Sequence, residues 1–102
     1  MQTQVRTNEG VAQIQLQGRF DFGAHREFKS SYEAPLGAPE VRELEIDMAG
    51  VEYLDSSALG MLLLLREKAS GNARSEVVLS GARGMVMQVL EVANFERMFR
   101  IA

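Results

Sequence analysis

A chain of 102 residues with 46% apolar and 25% charged residues has the length of one domain and the composition of a globular protein with a single core. It contains no cysteine, which excludes disulfides, thiolate zinc sites and cysteine nucleophiles. A net charge of −3 excludes the dense basic surface that nucleic acid requires. The charge is uneven, with five Lys/Arg against ten Asp/Glu in residues 1–55 and six against four in residues 56–102. The opening MQTQVRTNEG lacks the basic and apolar regions of a signal peptide. The longest apolar run, Met61 to Leu65, is far short of the roughly 20 residues that span a bilayer. The expectation is a cytoplasmic protein of one domain, residues 1–102, with no nucleic-acid or membrane partner.

The elements follow from hydrophobic period. Val5 sits among polar residues in a first strand, and Asn8-Glu9-Gly10 is a turn signal. Ala12, Ile14 and Leu16 then alternate with Gln13, Gln15 and Gln17, the pattern of a half-buried strand that Gly18 ends. The two strands predict a hairpin. Residues 22–34 predict a helix, with Phe28 and Tyr32 four apart on one face, and the prolines of PLGAP at 35–39 break it. Leu44, Ile46 and Met48 alternate with Glu43, Glu45 and Asp47 in another strand, the carboxylates forming its solvated face. A loop leads into a helix from about Ser57 to Ser70, which Gly71-Asn72 stops. Val77-Val78-Leu79 predicts a short buried strand. Gly81 to Gly84 turns the chain into a helix over about 85–93, with Val86 and Leu90 on one stripe and Met85, Val89 and Val92 on the next. Residues 95–101 fit a terminal strand or a short helix equally well. The order β-β-α-β-α-β-α with a short tail predicts an α/β fold, a mixed β-sheet covered by helices.

The helix after Leu54 is unusual. No charged side chain lies between Ala58 and Leu65, and eight residues at 100° per residue point in every direction. Surface helices keep a polar face, so this one is either enclosed or leaves an apolar strip for a partner. Leu59, Leu62, Leu63 and Arg66 share one face; Met61, Leu64, Leu65 and Lys68 share another. Leu59, Met61, Leu62, Leu63 and Arg66 are the partner-binding candidates. Asp55-Ser56-Ser57 precedes the strip. One reading is capping of the first turn by Asp or Ser, about 1 kcal/mol. The other is phosphorylation of a serine, which would set about −1.5 to −2 charges at the positive helix end beside the strip. A partner packed there would have to desolvate that charge, so docking would be switched without unfolding.

Asp55-Ser56-Ser57 followed by Ala58-Leu59-Gly60 resembles the phosphorylation loop of the STAS domain anti-sigma factor antagonists, D-S-[ST]-G-L-G, with Ala58 in place of a glycine. Gly18-Arg19-Phe20-Asp21 is similar to the same family's G-x-[LF]-D signature, and the element order agrees over essentially the whole chain. The resemblance implies the STAS fold and a non-catalytic partner switch. It implies that Ser56 is the serine phosphorylated by a kinase that is itself the anti-sigma factor, and that the unphosphorylated form sequesters this kinase. A PP2C-type serine phosphatase would restore that form. Asp21, Asp55 and Ser57 would support the phosphosite.

Catalytic readings find little. The chain has one histidine, His25, and no G-x-S-x-G elbow, so a serine hydrolase lacks its parts. Gly81-Ala82-Arg83-Gly84 lacks the Lys and Ser/Thr of a phosphate-binding loop. Asp47 and Asp55 lack the spacing of a metal site, and no cofactor is expected. The rival of a different class is a non-phosphorylated STAS scaffold subunit of a larger signalling or lipid-transport complex, with the serines serving only as caps.

Overall fold

The computed structural model describes residues 1–73 and 75–102. Glu9 and Gly10 both take positive φ, 51° and 83°, and close a two-residue turn between β1 (Gln2–Asn8) and the antiparallel β2 (Val11–Phe20). Such a turn matches the natural twist of paired strands, and glycine enters its second position without steric cost. The expected hairpin is present. Next to β2, and parallel to it, runs β3 (Glu43–Leu54), followed by parallel β4 (Glu76–Ser80) and β5 (Arg100–Ile101), giving a mixed sheet in the order β1-β2-β3-β4-β5. The helices are α1 (His25–Gly37), α2 (Ser56–Lys68) and α3 (Gly84–Val92).

Period two decides what the sheet buries. Ala12, Ile14 and Leu16 of β2 and Leu44, Ile46 and Met48 of β3 are buried in one core with Phe28 and Tyr32 of α1, Leu62 and Leu65 of α2, and Val86 and Leu90 of α3. The intervening residues form a polar face: Ser80 Oγ donates to Glu45 Oε2 at 2.7 Å, and Gln13 Nε2 reaches the same oxygen at 3.4 Å. Among the described residues no helix is long and apolar enough to cross a membrane.

Three elements differ from expectation at their boundaries. Residues 22–24 form a 3₁₀ turn before α1, and α1 runs through Pro35 to Gly37 instead of stopping at 34. Pro35 lies in the last turn, where it forfeits one backbone bond and is buried in return. The helix then stops at Ala38, extended as a residue before proline tends to be. Strand β3 is longer than its alternating stretch. Its register against β2 shifts between Gln15 and Gln17 and again between Gly18 and Arg19, so bulges space the buried residues Met48, Val51 and Leu54 by three rather than two. The end of the expected helix at Ser70 falls inside a wider π turn, Ala69–Ala73, that follows α2 and contains Gly71 and Asn72. The region 95–101 holds both alternatives, a 3₁₀ turn at Phe95–Arg97 and then β5.

Candidate functional site

Strands β2 and β3 are parallel and end side by side, with Phe20 opposite Leu54. The Asp55 amide donates to the Phe20 carbonyl at 3.4 Å and ties the two exits together. Clefts beyond the carboxyl ends of parallel strands are where α/β proteins place their functional loops. Each exit uses an aspartate. Asp21, in extended backbone, accepts the Gly23 amide on Oδ1 at 3.0 Å and starts the 3₁₀ turn. Asp55, also extended, accepts the Ala58 amide on Oδ1 at 3.0 Å and caps α2. The 3₁₀ turn packs against α2, so both aspartates border one site.

Ser56 follows as the first residue of α2 and is exposed, while Ser57 is half-buried. Neither hydroxyl makes a hydrogen bond among the described residues. Asp55 has therefore taken the capping role, and the Ser56 hydroxyl stands free at the positive end of a 13-residue helix. Ala58 lies inside that helix with its side chain fully buried, so an alanine is unstrained there. Nearby, the Arg19 guanidinium sits 4.1 Å over the Tyr53 ring, with Nε 3.5 Å from Asp21 Oδ2. One cation and two carboxylates thus surround the loop.

The partner strip needs correction. Leu62 is 0% exposed and Met61 8%, so both belong to the core and cannot receive a partner. The sheet takes positions 58, 61, 62, 65 and 69 of this segment, the i, i+3, i+4, i+7 stripe of a packed helix. The sequence offered two equally apolar stripes and no polar residue to choose between them. Leu59 stays half-buried at the rim, and Leu63, at 37%, is exposed. Arg66 is exposed but tethered, its Nε donating to the Met98 carbonyl at 2.7 Å.

The accessible apolar surface lies instead between α2 and α3. Leu59, Met85, Val89, Val92 and Ala93 line a shallow groove of about 290 Å³, with Gln88 as its polar member. Val92, at 84%, and Phe22, at 76%, are the most exposed large apolar side chains of the described residues. The α3 signal was present in the sequence as the second stripe, Met85, Val89 and Val92. Phe22 carried no signal, because one aromatic in an expected helix gives no phase. His25 is exposed at the start of α1, away from any serine-activating contact among the described residues.

The family described as "Mlab, STAS domain" matches residues 3–100. A STAS-domain containing protein of Pseudomonas aeruginosa is 46% identical over 89 residues, covering 87% of this chain and 85% of that protein. Among solved structures, an anti-sigma factor antagonist from Mycobacterium paratuberculosis superposes with a TM-score of 0.84 at 23% identity, covering 98% of this chain and 83% of that one. The Bacillus cell fate determinant SpoIIAA in its phosphorylated form gives a TM-score of 0.73 at 16% identity over 99% and 91% of the two chains. The anti-sigma factor antagonist SpoIIAA in its unphosphorylated form gives 0.74 at 16% identity over 99% and 87%. At these identities the structures show a common fold, the five-stranded mixed sheet with three helices.

Proposed function

This chain belongs to the STAS domain family, and on that premise we propose that it is an anti-sigma factor antagonist controlled by phosphorylation of Ser56. In the unphosphorylated form it sequesters an anti-sigma factor serine kinase. Phosphate on Ser56 releases that partner, and a PP2C-type serine phosphatase resets the cycle. The role is one of binding, with no chemistry performed by the chain itself.

The observation that carries this reading is the free, exposed Ser56 hydroxyl directly behind a cap made by another residue. Modifying a serine that made the cap would cost that bond, whereas Ser56 makes no hydrogen bond among the described residues for a phosphate to break. A phosphate there meets a helix N-terminus, which tolerates negative charge. It also arrives one residue after Asp55 and one turn before Leu59 at the rim of the apolar groove. A partner covering that groove and the Ser56 loop together would have to strip water from about two new charges. Repulsion of the partner and retention of the fold follow from the same placement.

Phosphosite mapping tests the proposal. The protein isolated from its own cell, and the protein incubated with ATP and a candidate kinase, are analysed by intact and peptide mass spectrometry. One added phosphoryl group on Ser56 supports the switch. An unmodified protein that still forms a stable complex favours the scaffold subunit, a reading to which the α2–α3 groove also lends itself because apolar docking needs no phosphate.

A further inference from the structure

The two edges of the sheet are unlike. At one edge β5 has two residues, too short to template another strand. At the other, β1 has seven residues and pairs with β2 without a register shift, and among the described residues no strand pairs with its outer side. Natural edge strands are usually blunted by lysine, proline, a bulge or shortness. Gln2-Thr3-Gln4-Val5-Arg6-Thr7-Asn8 has no lysine, proline or bulge, and Arg6 is its one charged side chain.

The hairpin fixes which groups face outward. A two-residue turn makes Asn8 and Val11 a hydrogen-bonded pair, and bonded and non-bonded pairs alternate along an antiparallel ladder. Gln2, Gln4, Arg6 and Asn8 therefore spend their amides and carbonyls on β2, while Thr3, Val5 and Thr7 direct theirs outward. A row of three free donors and three free acceptors on a strand without a bulge is a surface for strand addition.

We infer that this edge joins a second copy of the chain, β1 pairing antiparallel with β1 of its mate about a two-fold axis through Val5. That register overlaps all seven residues. It sets Val5 against Val5, Thr3 against Thr7 of the mate, and Gln4 against Arg6 of the mate. The one charged residue of the strand is thus never opposite itself, and the exposed Val5 side chains cover one another. The helix that packs on β1 agrees. α1 contacts β1 more than β2, and a two-fold perpendicular to the sheet keeps both copies of α1 on the same face and antiparallel. The exposed charges of α1 run Arg26, Glu27, Lys29 and then Glu33, so the net-positive first half of each helix meets the acidic second half of the other. The interface is isologous and closes. It stands apart from Ser56, on the opposite side of β2 from β3, so it holds whether or not Ser56 is modified.

Sedimentation velocity over a range of protein concentrations tests the dimer, and three variants test its register. Val5→Pro removes an outward amide that β2 does not use, so it should leave the circular dichroism spectrum unchanged and give a monomer at every concentration. Gln4→Glu should tighten the dimer roughly tenfold through two symmetric pairs with Arg6, and Gln4→Arg should loosen it by a similar factor. In a register centred on Gln4, Gln4→Glu would face its own copy and loosen the dimer instead, which would overturn the assignment. A wild-type protein that sediments as a monomer at all concentrations, or a Val5→Pro variant that remains folded and dimeric, would overturn the interface.

Discussion

The Asp55 carboxylate accepts the Ala58 amide at 3.0 Å, and that bond relieves Ser56 of any structural duty. The two residues are adjacent yet divide two tasks that helix starts usually assign to one side chain. Asp55 holds the first turn of α2; Ser56 carries nothing and is open to solvent. Asp55→Ala should therefore lower stability by about 1 kcal/mol, seen as a fall in Tm of roughly 4–8 °C, while Ser56→Ala should leave Tm within the scatter of replicate scans. Equal losses at the two positions would mean that the serine shares the cap.

Ser56→Asp places negative charge where phosphate would stand. With the fold indifferent to this position, Tm should stay within a few degrees of the wild type. Affinity for the proposed kinase partner should fall by about 100-fold or more, the usual scale for a charge left unpaired in a closed interface. Ser56→Ala should bind as the wild type does but resist release by ATP. Calorimetric titration with the kinase measures both, and an undiminished affinity for Ser56→Asp would argue for the scaffold subunit.

Most of the fold was legible in the sequence where one period dominated. The alternation of Ala12, Ile14 and Leu16, and of Leu44, Ile46 and Met48, located two strands and their buried face. It failed where geometry interrupts period: Val51 to Leu54 continues β3, but two bulges hide the pattern. The start of α2 was legible as well, because Asp55 followed by two serines marks a helix N-terminus, and Asp55 caps it. Which face of α2 stays exposed was not. In α2 the stripe containing Leu59 and Leu63 and the stripe containing Met61 and Leu65 are equally apolar, and only the sheet beneath decides which is covered. Leu62 belongs to both by spacing and to the core in fact.

That division predicts opposite fates for neighbours. Leu62→Glu puts a carboxylate into a fully buried position and should prevent folding, since an unpaired buried charge costs several kcal/mol, comparable to the whole stability of a small domain. Leu63→Glu changes an exposed side chain and should keep the wild-type circular dichroism spectrum and Tm within a few degrees. An unfolded Leu63→Glu protein would show that α2 is enclosed on that side too.

Gly50 lies at the first bulge of β3, which aims the strand end toward Asp55. A Cβ there would come 2.8 Å from Gln17 Cγ and 2.9 Å from the Leu16 carbonyl oxygen. The glutamine can swing aside, but the carbonyl belongs to the β2 ladder and cannot. Gly50→Ala should destabilise the protein by about 1–3 kcal/mol, read as a lower urea midpoint at constant m-value. Gly60 provides the contrast. It is a helical, exposed residue of α2 with nothing within 4 Å of an added Cβ, so Gly60→Ala should raise stability by about 0.5–1 kcal/mol through lost freedom of the unfolded chain. If Gly50→Ala moved the midpoint upward as well, the bulge would be adaptable and would not be what directs the end of β3 to the Ser56 loop.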